Sequence, residues 1–85
     1  MAFYQILFWQ DIPSQVKAWD DFDEEKIELS QEFIIKIDNA AKVQGLTAED
    51  DYLNQWNWGP ELKREGTPEE VVNAVKNELE IKLKE

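Results

Sequence analysis

The sequence predicts an α+β domain, a small three-stranded antiparallel sheet in the order β-β-β-α-α-α with helices packed on it. Three observations predict it. A short aromatic-rich run, Ala2-Phe3-Tyr4-Gln5-Ile6-Leu7-Phe8-Trp9-Gln10, opens the chain, and alternation of period two follows it. From Ser30 onward the apolar spacing turns helical, with start and stop signals at its ends.

The first strand spans about 3–10. Phe3, Leu7 and Trp9 fall on one parity and Tyr4, Ile6 and Phe8 on the other. Because side chains alternate across a strand, both faces call for cover, and the run is expected to be the central strand. Asp11-Ile12-Pro13-Ser14 reads as a turn, since Pro fixes φ and Asp and Ser bond locally to the backbone. A second strand at about 15–19 places Val16 and Ala18 inward, and a third at about 26–29 places Ile27 and Leu29 inward. Residues 20–25 between them form an acidic turn interrupted by Phe22. Short connections make an antiparallel meander the simplest pairing.

Ser30 is a favoured N-cap for a helix at about 31–44, and Gly45 supplies the left-handed residue that stops it. Thr47 with acids at 49–51 starts a second helix, expected over about 48–57, with Tyr52, Leu53 and Trp56 on one face. Residues 61–66 are polar and read as loop. Thr67-Pro68-Glu69-Glu70 starts a third helix at about 68–80, with Val71, Val72, Val75 and Leu79 as its buried stripe. Residues 79–85 read equally as helix or strand, because Leu79, Ile81 and Leu83 also alternate at period two.

Composition narrows the function classes. Eighty-five residues make one domain near the marginal end of independent stability. Four Trp, four Phe and two Tyr compensate, since each ring buries a large area. The absence of Cys removes disulfides and thiolate chemistry, and the absence of His removes the commonest general base and metal ligand. A net charge of −10 repels phosphate backbones, so neither nucleic acid nor an anionic membrane is expected as partner. No apolar run reaches the roughly 20 residues of a membrane span, and no cationic segment precedes the first strand. A soluble cytoplasmic protein, monomeric or weakly dimeric, is the expectation.

Acids at Asp21, Asp23, Glu25 and Glu32 match positions of a calcium loop, yet Lys26 stands where the loop needs Gly. Glu49, Asp50 and Asp51 are explained by a helix start. No phosphate loop, activated nucleophile or metal spacing is present, so neither enzyme activity nor a cofactor is expected. The aromatics remain. Trp56 and Trp58 are two apart at a helix end and cannot share one helical face, so one is expected in the core and the other outside. Trp56, beside Tyr52 and Leu53, is the expected buried member. Trp58, off that face, is expected to be at least partly exposed, either as a lid on the small core or as an anchor for a partner, since Trp is enriched among interface hot spots; Trp19, with Phe22 nearby, is a similar case. Trp19, Phe22, Trp56 and Trp58 are the candidate partner-binding residues.

Three stretches carry a family resemblance: Trp9-x-Asp11-Ile12-Pro13-x-Gln15-Val16, Phe33-Ile34-x-x-Ile37-Asp38-x-Ala40-Ala41, and Tyr52-Leu53-x-x-Trp56. In this order and spacing they resemble a small bacterial domain family known as "virulence factor". The chain departs from that pattern in the acidic turn at 20–25, where basic residues are expected, and at Lys42, where an apolar residue is expected. The resemblance implies a compact accessory domain and carries over no catalytic or binding residue. In some relatives such a domain accompanies helical HEAT-type repeats, which implies a protein partner, a helical-repeat protein among the candidates. The expected function is therefore a non-catalytic protein–protein interaction module using an aromatic surface. The alternative is a small-molecule-binding protein with an aromatic pocket.

Overall fold

The N-terminal aromatic run forms β1 (Ala2–Trp9), and strands line both of its edges. A computed structural model of the chain describes residues 1–46 and 48–83. The remaining elements are β2 (Ile12–Trp19), β3 (Glu24–Glu28), α1 (Gln31–Gln44), α2 (Glu49–Leu53), β4 (Trp56–Trp58), β5 (Leu62–Arg64) and α3 (Pro68–Leu83). The α+β class holds and β1 is central, but the antiparallel sheet has five strands in place of the expected three. β3, β2 and β1 form the expected meander. β4 then pairs with residues 7–9 of β1 and β5 with residues 2–4, end to end along its second edge.

That second edge explains the two strands missing from the sequence reading. A central strand leaves N–H and C=O groups on both sides, and buried backbone groups need partners. The helix expected over 48–57 therefore stops at Leu53, and Gln10 N–H bonds to Gln55 C=O at 2.9 Å, drawing 56–58 alongside β1. Residues 62–64, read as loop, are recruited in the same way. Between them Pro60 lacks an N–H and interrupts the strand. Gly59 crosses close to β1: its N–H bonds to Ile6 C=O at 2.8 Å, and a Cβ there would lie 2.8 Å from Phe8 Cε2.

Further corrections concern boundaries. The first turn is only Gln10, at φ 55°, and Asp11, so β2 already begins at Ile12. Leu7 pairs with Gln15 but Phe8 with Pro13, which leaves Ser14 as an extra residue in β2. Pro13 is tolerated inside a strand because it sits at this bulge. β3 starts at Glu24, inside the expected acidic turn, and Leu29 lies just past its end. α1 has the expected bounds, and Gly45 closes it at φ 73°. Ser30 sits at the N-cap without a side-chain cap bond. The helix start assigned to Thr47 falls outside the described residues; Ala48 occupies the N-cap position of α2. α3 runs to Leu83, so the ambiguous tail is helical that far, and 84–85 lie outside the described residues.

One face of the sheet carries the main core. Ala2, Val16 and Ala18 are buried there with Leu29, Phe33 of α1, and Val71, Val72 and Val75 of α3, and Tyr4, Ile6 and Ile27 pack against them. A second cluster joins Trp9 to Ile37 and Ala41 of α1, with Ile12, Tyr52 and Trp56 around it. α1 thus serves both clusters from the end of the sheet. Trp9 is 0% exposed, and its indole N–H donates to Tyr52 C=O at 2.9 Å. The ring is both packed and hydrogen-bonded, which satisfies its one polar atom. A sharp start positions α3: Thr67 Oγ1 accepts from Glu70 N–H at 3.2 Å while Glu70 Oε1 accepts from Thr67 N–H at 3.0 Å. This is a reciprocal capping box.

Two outcomes follow. Trp9→Ala is expected to cost about 3–5 kcal/mol in urea melts, a loss comparable to the whole stability of a small domain, whereas Trp58→Ala stays folded. The backbone N–H of Thr67 holds the Glu70 carboxyl below its ordinary value of 4.5. A depressed carboxyl contributes stability that is present above its unfolded pKa and lost as pH falls through the folded one. Glu70→Gln is therefore expected to lower the melting temperature more at pH 7 than at pH 3; equal losses at both would refute the cap's charge dependence.

Candidate functional site

The opposite face of the sheet is where the apolar side chains of β1 find no helix. Phe3, Gln5 and Leu7 pair with Trp19, Lys17 and Gln15 of β2, so these six side chains share that face. Trp58 opposite Leu7 and Lys63 opposite Phe3 extend it across the second edge. The buried helix residues Phe33, Ile37, Ala41, Val71, Val72 and Val75 all belong to the two core clusters, and none of Phe3, Leu7, Trp19 or Trp58 does. The expectation that both faces of β1 would be covered is corrected: α3 covers one, and over residues 3–7 the other stays open. Phe3 is 37% exposed and Trp58 43%.

The open face is organised as a row of rings and ammonium groups. Phe3 and Trp19 stack with centroids 6.0 Å apart and planes 21° from parallel. Lys17 Nζ lies 5.3 Å from the Trp19 ring and 4.6 Å from the Trp58 ring, bridging β2 to β4 over β1. Lys63 Nζ sits 5.3 Å from Phe3. Among the described residues neither lysine has a carboxylate partner; the ion pair there joins Arg64 to Glu78, on the α3 side. The ring quadrupoles hold the cations instead, each contact worth about 0.5–1 kcal/mol at an exposed site. Gln5 Nε2, donating to Gly59 C=O at 3.1 Å, fixes the strand break beside this row.

The four residues singled out from the sequence separate. Trp19 and Trp58 meet through Lys17. Phe22 stands at the tip of the β2–β3 turn, 91% exposed. Its N–H donates to Asp20 Oδ1 at 2.8 Å, as does that of Asp23. These backbone donors, Asp23 first, hold the Asp20 carboxyl below its ordinary value. Trp56 is half-buried in the second cluster, edge-on to Tyr52 at 6.2 Å, and does not join the open row. Trp56 and Trp58 would have to diverge on a helix. In a strand residues two apart share a face, and they differ because Tyr52 and α1 cover only the Trp56 end. The fully buried indole is Trp9.

Phe3, Lys17 and Lys63 were missed. The signal was present for two of them: Phe3 is on the uncovered parity of β1, and Lys17 shares the parity of Trp19 in β2. Lys63 had none, because its strand was unrecognised. Among the described residues no group of three or more acidic side chains comes together as a metal site. The other displaced pKa values have local causes: Arg64 lowers Glu78, and burial, followed by the Asp38 charge, raises Tyr52. A hollow of about 220 Å³ beside the second cluster is lined by Gln15, Glu28, Ile34, Ile37, Tyr52 and Trp56, among others.

The arrangement defines a class: an α+β domain with α3 over one sheet face and, on the other, an aromatic–cation row beside the end that α1 and Tyr52 cover. A family model described as "Virulence factor" matches residues 7–85. The chain belongs to this family. Comparison with curated proteins and with solved structures gives no match. Among the described residues no helix is long and apolar enough to cross a membrane.

With Trp9 retained, acrylamide is expected to quench the long-wavelength part of the wild-type emission, which Trp58→Phe diminishes, while the short-wavelength emission of Trp9 resists quenching in both. Lys17→Met is expected to change the near-UV circular dichroism of the indoles while costing about 1–2 kcal/mol, the sum of its two ring contacts.

Proposed function

We propose that this domain is a non-catalytic interaction module that binds a protein partner through the open sheet face. The observation that carries this reading is the row Trp58, Lys17, Trp19, Phe3 and Lys63, aromatic area that the chain's own described helices leave uncovered. Indoles concentrate binding energy when a partner desolvates them. Preset rings lose little side-chain freedom on association, which lowers the cost of binding. The site residues of this reading are Trp19 and Trp58 with Phe3 and Lys17; Phe22 extends it at the turn, and Trp56 supports it from behind. A helical-repeat protein remains a candidate partner, and the setting proposed is the cytoplasm.

Affinity capture from the native host tests the reading. The wild-type domain is expected to retain a partner that a Trp19→Ala/Trp58→Ala variant with an unchanged melting curve does not. Equal capture by both would remove the open face as the binding surface. A second reading, small-molecule binding, is supported by the hollow lined by Tyr52 and Trp56. A thermal-shift screen separates the two, since a ligand at 100 times its Kd adds about 2.7 kcal/mol to stability.

A further inference from the structure

The sheet has two free edges, and they differ. On one side β4 and β5 are three residues each, separated by residues 59–61 with Pro60 among them, and their registers against β1 are offset by one residue. Pro and broken register blunt an edge against a further strand. On the other side β3 presents five consecutive residues, Glu24-Glu25-Lys26-Ile27-Glu28, without Pro, Gly or a register shift. All but Ile27 are exposed, and the strand is the last in the sheet order. Its outward N–H and C=O groups have no backbone partner among the described residues.

The geometry points to β3 as an edge that receives an extended, basic segment of a partner protein as a sixth strand. Main-chain bonds supply the pairing in such strand addition, and alternate side chains supply selectivity. Charge identifies the occupant. Glu24, Lys26 and Glu28 lie on the open face, opposite Trp19, Lys17 and Gln15, and Glu25 lies on the other. Opposite charges directly across a strand pair stabilise it and like charges destabilise it. A second copy paired about Lys26 would set Glu24 against Glu28 and Lys26 against Lys26, on a chain already at −10, so self-pairing is disfavoured. A strand with Lys or Arg four positions apart meets Glu24 and Glu28 instead, with an uncharged residue between them opposite Lys26. Phe22, 91% exposed just before β3, offers an apolar contact where that strand would end. The inference rests on the interaction-module reading and adds the partner's chemistry and the edge it uses.

The test uses the full chain, isotopically labelled, and two synthetic peptides: a valine-rich strand with lysines four positions apart and threonine between them on the same face, and the same peptide with glutamate in place of each lysine. The lysine peptide is expected to shift the amide resonances of residues 24–28, to slow their hydrogen exchange, and to bind about tenfold or more tightly than the glutamate peptide at low salt, with the difference shrinking as salt rises. Glu24→Lys/Glu28→Lys is expected to reverse the preference. Should that variant not fold, the two peptides on the wild-type chain still decide. Equal response to both peptides, or none at β3, would overturn the inference. Shifts confined to Leu7, Trp19 and Trp58 would overturn the edge pairing while leaving the open-face reading standing. Concentration-dependent protection of β3 in the protein alone would overturn it in favour of a second copy, and β3 shifts on adding an oligonucleotide in favour of nucleic acid.

Discussion

The pairing of β1 on both edges is the constraint on which the rest of this molecule depends. A strand of eight residues with neighbours on each side has its backbone groups satisfied by the sheet, and it places large side chains on both faces. β2 supplies one edge through a tight turn. The second edge falls to residues more than forty positions further along, and this long-range demand shortens α2 and draws one short strand out of the expected helix end and another out of polar sequence. Helix capping and turn chemistry act within that frame. They decide where α1 ends, at Gly45, and where α3 begins, at the Thr67–Glu70 box, but not which edge of β1 is filled.

Aromatic packing then makes a core within a short chain. Trp9 lies at the junction of β1, α1 and the segment after α2, its ring 5.5 Å from Tyr52 and its indole N–H bonded to the Tyr52 carbonyl. Tyr52 in turn meets Trp56 edge-on. This cluster locks the crossing chain against the end of the sheet, while α3 closes the opposite face over Val16 and Ala18. α3 serves the first cluster, α1 serves both and α2 is short, so among the described residues no helix lies across Phe3, Trp19 and Trp58. An uncovered aromatic face is the consequence. Aromatic area with cations seated on it differs from scattered surface apolar residues, which need no explanation.

The charge distribution fits that division of labour. The chain is strongly acidic, yet Lys17 and Lys63 lie on rings of the open face, and Arg64 pairs with Glu78 of α3. Acids instead crowd the β2–β3 turn and the edge strand that follows it. The sheet therefore presents two surfaces of different chemistry side by side, an aromatic face and an acidic unpaired edge. They meet at Trp19, which pairs with Glu24.

Local chemistry determined a good deal of this from sequence alone. The α+β class, the central place of β1, the bounds of α1, the left-handed stop at Gly45 and the Thr67 start of α3 are written in alternation, capping residues and glycine, each of which acts within a few positions. The family was legible as well, from three short apolar patterns. What the sequence concealed was decided at a distance. Trp56-Asn57-Trp58 continues a helical pattern by itself, and only the empty edge of β1 makes it a strand. Lys63 acquires a place on the open face only because that strand exists. Trp19 and Trp58, thirty-nine positions apart in number, become neighbours through Lys17. Whether an apolar face is core or surface depends on which helix reaches it, and that is settled by tertiary packing, because the residues of the face are equally apolar in either case.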